Sequence, residues 1–318
     1  MKFVNVQDNF EEHLNKLTGL FKNFATSGNY ILGEGVAAFE KDWAAYTGIK
    51  FALGVGNGMD AIEICLRSLG IKTGDEVITT SMTAFATILA IIRAGAKPVL
   101  ADIVPGTALL DLHSVKRCIS SKTKAIMIVH LYGQVKNMEK WKDLCKKHNL
   151  YLVEDCAQSH GAIENGISAG SFGVMSAFSF YPTKNLGALG DAGAVCSNSI
   201  NLIKTAKSIR NYGQSEQYNH DIVGLNSRLD DLQGYILSEM LSKLESNNFK
   251  RKKNAQFYFE NIQNPLVSLL DEPIKKDSHV FHQFVIIVDK RDEFRDYLAK
   301  HKIPTLIHYP KAIHHQKA

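Results

Sequence analysis

The sequence of 318 residues lacks a Cys-x-x-Cys pair, an apolar run long enough to cross a membrane and a large excess of charge. Its five cysteines are scattered and odd in number, which favours free thiols in a reducing compartment over a disulfide framework or a structural zinc site. The first eight residues have no apolar core of the length that a signal peptide needs. The apolar stretch at 84–94 is only helix-sized. We predict a cytoplasmic protein with no membrane segment and no metal site.

The charge of the chain is close to balanced, with 37 basic and 32 acidic residues and a net charge of +5. This small excess is compatible with an anionic small substrate and does not call for nucleic acid or an acidic membrane. The densest basic run, at 250–253, falls in a helical pattern, where a solvated helix face competes with an anion-binding patch. The length indicates two domains, or one large α/β domain with a smaller appendage.

Short apolar strands alternate with amphipathic helices from residue 51 onward. We predict strands at 51–55, 76–80, 98–101, 125–129, 151–154, 174–180 and 192–197, and helices at 60–69, 84–94, 112–119 and 138–148. Helices at 200–210 and 229–259 follow, and then strands at 281–289 and 304–308 with a helix at 293–301. The first pattern is typical of a mostly parallel sheet covered on both faces, which binds ligands at the carboxyl ends of its strands.

Lys184 and Asp155 fall just after neighbouring predicted strands and together suit a pyridoxal phosphate site. A lysine amine can form a Schiff base with the aldehyde of this cofactor, and a carboxylate can hold the proton of its pyridinium ring. Separately, the two residues have ordinary interpretations as a surface charge and a turn former. Gln158, one turn after Asp155, is placed to bond the ring hydroxyl, and Ser179 offers a hydroxyl group to a phosphate.

The glycines at 54, 56 and 58 join a predicted strand to a predicted helix. Glycines allow backbone amides to approach an anion, and a helix N-terminus adds a favourable dipole, so this loop is a candidate phosphate site. Its Gly-x-Gly-x-Gly spacing differs from the dinucleotide-binding fingerprint. A plain glycine turn is the alternative interpretation.

Nine ordered segments, which run through nearly the whole chain, match one known family. They lie at 26–28, 56–58, 73–78, 129–134, 154–162, 179–191, 210–213, 224–230 and 308–310. Among them are Glu154-Asp155-Cys156-Ala157-Gln158 and His308-Tyr309-Pro310. These segments resemble the DegT/DnrJ/EryC1/StrS sugar aminotransferases, which have the aspartate-aminotransferase fold, fold type I of the pyridoxal phosphate enzymes.

This resemblance implies a three-layer α/β fold with a mostly parallel sheet in a large cofactor-binding domain, residues 1–246 with an N-terminal arm. A smaller α+β domain would occupy residues 247–318. The family segment that begins at His308 normally continues well beyond the end of this chain, so we expect the small domain to be incomplete. Uncovered apolar surface and an open strand edge would then result.

The resemblance also assigns roles to individual residues. Lys184 would be the Schiff-base lysine and the proton shuttle, Asp155 the partner of the pyridine nitrogen, and Gln158 the partner of the ring oxygen. Asn226 matches an asparagine that the partner subunit contributes to the phosphate site, which implies a homodimer with shared active sites. The phosphate would also be held by the backbone amides of Gly58 and Met59 and the hydroxyl group of Ser179.

Two positions depart from the family pattern. Met59 stands where many relatives have threonine or serine, so it can offer only its backbone amide. Ala84 occupies the usual aromatic position, and Phe85, one residue later, either covers the cofactor ring or packs in the core. A further set of residues are candidates to line the substrate pocket, with purely structural roles as the alternative. These are His130, Tyr132, His160, Tyr181, Arg228, His308 and Tyr309.

The resemblance implies a pyridoxal phosphate-dependent transfer of an amino group from L-glutamate to C3 or C4 of a nucleotide-linked keto-6-deoxy-sugar. The product would serve the biosynthesis of a deoxyamino sugar for a lipopolysaccharide O-antigen or an antibiotic. One alternative is a keto-sugar dehydratase on the same fold, although those relatives replace the lysine with histidine. An inactive, cofactor-binding regulatory protein is another. A nucleic-acid binder would need a groove-reading motif, and none is visible.

Overall fold

A seven-stranded sheet forms the centre of the computed structural model, which describes residues 10–318 apart from Glu12. The first nine residues, which contain the region tested for a signal peptide and the start of the predicted N-terminal arm, lie outside this description. The strands are β1 (Phe51–Val55), β2 (Glu76–Thr80), β3 (Lys97–Ala101), β4 (Thr123–Val129), β5 (Tyr151–Asp155), β6 (Met175–Ser179) and β7 (Gly193–Ser197). All seven lie within two residues of their predicted bounds.

The spatial order of the strands is β1-β7-β6-β5-β4-β2-β3. β7 runs antiparallel to both β1 and β6, whereas the pairs β6-β5, β5-β4, β4-β2 and β2-β3 are parallel. The carboxyl ends of β4, β5 and β6 therefore meet at one edge of the sheet, where β7 begins. The segment between β6 and β7 starts and finishes at that same edge.

Helices cover both faces of the sheet, as predicted for a three-layer α/β fold. They are α1 (Leu14–Ser27), α2 (Glu34–Thr47), α3 (Gly58–Ser68), α4 (Phe85–Arg93), α5 (Leu112–Cys118), α6 (Met138–His148) and α7 (Ile200–Arg210). Because side chains alternate along a strand, each strand supplies two cores. Leu152 of β5 packs in the core that α2 and α6 cover, and Val153 packs in the core that α3, α4 and α7 cover.

The helical region after the sheet differs from the single predicted helix at 229–259. Two helices occupy it, α8 (Asp231–Leu241) and α9 (Leu244–Asn261). At the break, the Ser242 hydroxyl donates to the Glu239 carbonyl (2.9 Å), and the Lys243 amide donates to the Met240 carbonyl (3.0 Å). Both bonds span three residues instead of the four of an α-helix. A serine hydroxyl that bonds the preceding turn and a 3₁₀-type backbone bond are both common where an α-helix ends.

The predicted strands at 281–289 and 304–308 are also wrong. In the described chain, a strand within the first range covers only Ile286–Ile287, which pairs with Ser268–Leu269, and residues 304–308 form no strand. Phe281 has a φ of +45°, which is incompatible with an extended strand. These segments alternate apolar and polar residues, but among the described residues only Ser268–Leu269 pairs with the first of them. A longer strand therefore does not form. α10 (Arg291–Lys300) agrees with its prediction within two residues.

The described residues also bear on the membrane and thiol predictions. Between residues 10 and 318, with Glu12 left aside, no helix has both the length and the hydropathy needed to cross a membrane. All five cysteines are free thiols, and only Cys118 among them is not buried.

Candidate active site

A cavity of about 380 Å³ opens at the edge of the sheet where β5 and β6 end. Its walls come from the N-terminus of α3, the segments that follow β5 and β6, and two segments of the C-terminal region. Eight residues predicted for the site line it: Gly58, Met59, Gln158, Ser179, Tyr181, Lys184, His308 and Tyr309. The fold thus gathers residues that are up to 251 positions apart in the sequence, from Gly58 to Tyr309.

Lys184 lies on the segment that joins β6 to β7. This segment is closed at its base by a hydrogen bond from the Phe180 amide to the Ala192 carbonyl (2.8 Å). A second bond, from the Lys184 amide to the Tyr181 carbonyl (2.8 Å), folds the backbone at the lysine itself. Burial lowers the pKa of the Lys184 amine, and the charge of Asp155 opposes this shift. The amine can therefore become neutral at a lower pH than an exposed lysine.

Asp155, the last residue of β5, is 5% exposed and lies close enough to the cavity for its charge to act on Lys184. Its Oδ2 accepts a hydrogen bond from the Thr87 hydroxyl (2.9 Å), and its Oδ1 accepts one from the Ala157 amide (3.1 Å). Burial raises the pKa of Asp155, while these two bonds and Lys184 act in the opposite direction. The two hydrogen bonds thus fix the orientation of the carboxylate, at a buried position where the charged form is destabilised by the loss of water.

Two threonines that support Asp155 were not among the predicted site residues. The hydroxyl groups of Thr83 and Thr87 are 2.8 Å apart, and both residues are buried. They stand four positions apart, with Thr87 in the first turn of α4 and Thr83 two residues before that helix begins. That spacing is the only sequence signal for them, because a buried threonine has many structural uses.

The N-terminus of α3 forms the part of the cavity that suits an anion. The Asn57 side chain caps the helix by accepting a hydrogen bond from the Asp60 amide (2.8 Å). The amides of Gly58 and Met59 are the first two of the helix and precede its intrahelical hydrogen bonds. A Cβ atom on Gly58 would lie 2.4 Å from the Cβ of Ser179, so only glycine permits this approach of α3 to the end of β6.

Gln158 is held by hydrogen bonds at both ends of its amide group. Its Oε1 accepts from the Tyr132 amide (2.6 Å), and its Nε2 donates to the Tyr309 hydroxyl (3.3 Å). Tyr132 itself is buried, has a φ of +59°, and donates through its hydroxyl to the carbonyl of His308 (2.8 Å). Burial, with a contribution from the charge of Asp155, raises the pKa of Tyr309 to about 12.

His130 lies behind the sheet edge in a closed polar cluster. Its Nε2 is 2.8 Å from Oε2 of Glu154, which is fully buried. The two oxygens of Glu154 also accept hydrogen bonds from the amides of Gly170, Phe172 and Gly173 (2.6–2.9 Å). His130 is not among the residues that line the cavity in the described part of the chain.

His160 is enclosed by aromatic rings. Its ring centroid lies 5.5 Å from that of Trp43 and 5.2 Å from that of Phe180, and its Nδ1 accepts a hydrogen bond from the Leu186 amide (3.1 Å). Burial lowers the pKa of His160 to about 3, so the ring is neutral. Like Tyr132, it is absent from the described cavity wall and supports the residues around it.

Phe85, Asn226 and Arg228 also lie away from the cavity wall that the described residues form. Phe85 is partly buried and packs against the core that α3, α4 and α7 cover. Asn226 is exposed and forms a backbone bridge with Asn211. Arg228 donates to Oδ1 of Asn211 (3.2 Å), with its guanidinium 5.2 Å from the centroid of the Tyr212 ring.

Five further residues line the cavity without having been predicted: Asn57, Thr183, Asp191, His282 and Gln283. Asn57, Thr183 and Asp191 lie inside the matching segments at 56–58 and 179–191, so the sequence offered a signal for them. His282 and Gln283 had no such signal, because they belong to the range wrongly predicted as a strand. Their places in the wall follow from the irregular backbone at Phe281.

Comparisons with known proteins show which family this chain resembles. The family model described as the DegT/DnrJ/EryC1/StrS aminotransferase family matches residues 12–318. The dTDP-3-amino-3,6-dideoxy-alpha-D-galactopyranose transaminase of Aneurinibacillus thermoaerophilus is 48% identical over 292 residues, which are 92% of this chain and 80% of that protein. The pleiotropic regulatory protein of Geobacillus stearothermophilus is 40% identical over 315 residues, which are 98% of this chain and 85% of that protein.

Solved structures share the architecture over almost the whole chain. The structure of S. venezuelae DesV in complex with a ketimine intermediate superimposes with a TM-score of 0.96 at 37% identity. The match covers 99% of this chain and 85% of DesV.

Proposed function

Because the chain belongs to the DegT/DnrJ/EryC1/StrS aminotransferase family, we propose that it transfers an amino group from L-glutamate to a nucleotide-linked keto-6-deoxy-sugar. Its membership makes it a pyridoxal phosphate-dependent sugar aminotransferase. The observation that carries the proposal is Lys184, which faces a cavity next to the buried carboxylate of Asp155. An amine with a lowered pKa beside a fixed carboxylate is the pair that this chemistry requires.

The described residues fit the cofactor that the family implies. The amides of Gly58 and Met59 and the hydroxyl group of Ser179 would hold its phosphate, since they converge where only a glycine can be accommodated. A helix N-terminus favours an anion at this point. Asp155 would pair with the ring nitrogen and Gln158 with the ring oxygen. The hydrogen bonds to Asp155 from Thr87 and Ala157 support the charged form that such pairing needs.

Pyridoxal phosphate, when bound, supplies an aldehyde that reacts with amines and a ring that accepts electrons. The protein would supply position and proton transfer. Nζ of Lys184 would carry the proton between the two carbon atoms that exchange the amine, and its lowered pKa makes the neutral form accessible. Tyr181, His308 and Tyr309, which line the same cavity, are proposed substrate contacts.

A homodimer with shared active sites is proposed from the exposed segment before α8. Asn226 is exposed there, and Arg228 is only partly buried. Tyr212 is 45% and Val223 83% exposed, so the same region presents apolar side chains to solvent. Exposed apolar groups next to polar ones are typical of a protein interface. In the proposed dimer, Asn226 and Arg228 would enter the partner's cavity.

Two further assignments belong to this proposal. We place a large domain at residues 1–246 and a small one at residues 247–318, and we propose a cytoplasmic location, which the free thiols support. As the first sugar substrate to test, we propose a dTDP-linked 3-keto-6-deoxyhexose. The name of the 48% identical transaminase supports that choice.

The experiment follows the visible absorption band of the cofactor-loaded protein. L-Glutamate should remove the band, and the keto-sugar nucleotide should restore it while mass spectrometry detects an aminated sugar. Lys184→Ala, loaded with the same cofactor, should show neither change at a comparable rate. A folded and loaded wild-type protein that responds to neither compound would contradict the proposal.

A regulatory role is the second candidate, because one relative that is 40% identical is named a pleiotropic regulatory protein. A regulator could bind the cofactor without turnover. In that case L-glutamate and the keto-sugar nucleotide would not remove and restore the visible absorption band. A dehydratase is disfavoured by the retained Lys184. Its product would lose a hydroxyl group instead of gaining an amine, which the same mass measurement separates.

A further inference from the structure

Two imidazole rings line the cavity, and their hydrogen bonds distinguish them. Nε2 of His308 lies 3.2 Å from Nε2 of Gln283; because an amide nitrogen only donates, the histidine nitrogen is the acceptor. His282 uses its other nitrogen, since its Nδ1 lies 3.1 Å from Oδ1 of Asn185. Nε2 of His282 has no hydrogen-bond partner among residues 10–11 and 13–318. It is the ring nitrogen left available to a ligand.

A chain of hydrogen bonds fixes which nitrogen of His282 carries the proton. Asn248 donates through Nδ2 to the His160 carbonyl (2.8 Å), so its Oδ1 is an acceptor. Asn185 donates through Nδ2 to that oxygen (2.8 Å) and to the Val280 carbonyl (3.2 Å), so its own Oδ1 is an acceptor. Nδ1 of His282 must therefore be the donor. In the neutral ring, Nε2 then has a lone pair and no hydrogen.

The backbone and the surroundings keep this ring in place. Arg251 donates to the carbonyls of Phe281 (3.3 Å) and His282 (3.1 Å). Phe281 is held at a φ of +45°, a conformation that non-glycine residues adopt rarely and that is often associated with functional sites. His282 is 9% exposed, and burial, with the charges of Lys184 and Arg251, lowers its pKa well below the ordinary value. It is a neutral, oriented acceptor.

We propose that Nε2 of His282 accepts a hydrogen bond from a hydroxyl group of the sugar and thereby contributes to the choice of substrate. This inference rests on the proposed function and names a specificity determinant within it. A lone pair at a fixed position attracts a hydroxyl group and repels a ketone or phosphate oxygen. The ring would therefore favour sugars that present a hydroxyl group at this point and orient the ketone elsewhere, towards Lys184. A site built to bond a hydroxyl group discriminates strongly against analogues that lack it.

Two substitutions separate this role from a structural one. His282→Asn keeps an amide nitrogen near the position of Nδ1, so the bond to Asn185 survives and the cavity acceptor is lost. His282→Gln places its amide near the position of Nε2, so an oxygen can face the cavity while the bond to Asn185 is lost. We expect His282→Asn to slow the keto-sugar half-reaction about tenfold more than the glutamate half-reaction. His282→Gln should retain more of the sugar half-reaction than His282→Asn does.

A binding measurement provides a readout independent of turnover. Calorimetry would compare unreactive sugar nucleotides in which one hydroxyl group at a time is replaced by hydrogen. Wild-type protein should bind one of these analogues about tenfold more weakly than the parent, and His282→Asn should bind both equally. Wild-type binding that tolerates every replacement within twofold would overturn the inference.

The remaining outcomes are equally decisive. Greater damage to sugar binding in His282→Gln than in His282→Asn would overturn the inference, since the bond to Asn185 would then be what matters. Failure of the wild-type protein to aminate any keto-sugar nucleotide would instead contradict the proposed function. Wild-type turnover with unchanged sugar selectivity in both variants would contradict the role of His282 alone.

Discussion

Replacing Thr87 with valine should weaken cofactor binding, because it removes one of the two hydrogen bonds that the structure gives to the carboxylate of Asp155. Valine has nearly the shape of threonine, so the packing around α4 is retained. A hydrogen bond to a charged group contributes about 1.5–3 kcal/mol, which corresponds to a tenfold to hundredfold change in Kd at about 1.4 kcal/mol per factor of ten. Titration of the apoprotein with pyridoxal phosphate, followed by absorbance, measures this change.

The pH dependence adds a test that a packing defect would not reproduce. The Thr87 hydroxyl lowers the pKa of Asp155 against the effect of burial, so its loss raises that pKa further. As the pH falls, the variant should lose the carboxylate charge, and with it affinity, at a higher pH than the wild type. Thr87→Ser keeps the hydroxyl group and should resemble the wild type. A Kd for Thr87→Val within twofold of that of Thr87→Ser would refute the reasoning.

Three further predictions concern other parts of the site. Gly58→Ala would place a Cβ atom 2.4 Å from Ser179, so cofactor Kd should rise at least about tenfold in the same titration. Glu154→Gln replaces one carboxylate oxygen, which accepts hydrogen bonds from backbone amides, by an amide nitrogen, which can only donate. At least one buried backbone amide then loses its acceptor, so the free energy of unfolding in urea should fall by about 3 kcal/mol. The rate at which Lys184 captures the cofactor aldehyde should rise with pH and level off below the ordinary lysine pKa of 10.5.

Matched controls exist for each of these predictions. Gly19→Ala adds a Cβ atom where nothing lies within 4 Å and should leave Kd unchanged. Glu139→Gln alters an exposed pair with Lys142, so unfolding should change by less than about 0.5 kcal/mol. Asp155→Asn removes the charge that raises the pKa of Lys184, so the capture rate should level off at a still lower pH. Equal effects of a variant and its control, or no pH shift with Asp155→Asn, would contradict the corresponding prediction.

Much of the large sheet could be predicted from the sequence because its strands are short, apolar and separated by helices with clear periodicity. Lys184, Gln158 and Gly58 could be found for the same reason, since they adjoin the carboxyl ends of those strands or the start of the following helix. The prediction of a strand at 281–289 was wrong because the local alternation of apolar and polar residues does not show whether a partner strand is available. Two-residue pairing at Ile286–Ile287 is all that the tertiary structure provides within that range.

The predicted histidines show a different limit of sequence reasoning. Glu154 and Asp155 are adjacent in β5, and successive side chains of a strand point to opposite faces. Asp155 therefore meets Thr87 on one side of the sheet, while Glu154 meets His130 on the other. Position next to a functional residue in the sequence does not place a side chain in the same site. His282 was missed for the converse reason, since its route into the cavity depends on tertiary contacts with Asn185 and Arg251.

Lys184 lies on a segment whose two ends are anchored at one edge of the sheet, because β7 runs antiparallel to β6. In a parallel arrangement, the chain leaving β6 would have to cross the whole sheet before it could pair again. Here the bond between Phe180 and Ala192 closes the segment where it leaves the strands. The lysine cannot be released by fraying of a free end. We therefore expect the Phe180 amide hydrogen to exchange with solvent as slowly as those of the central strands, so that hydrogen exchange would report this anchoring directly.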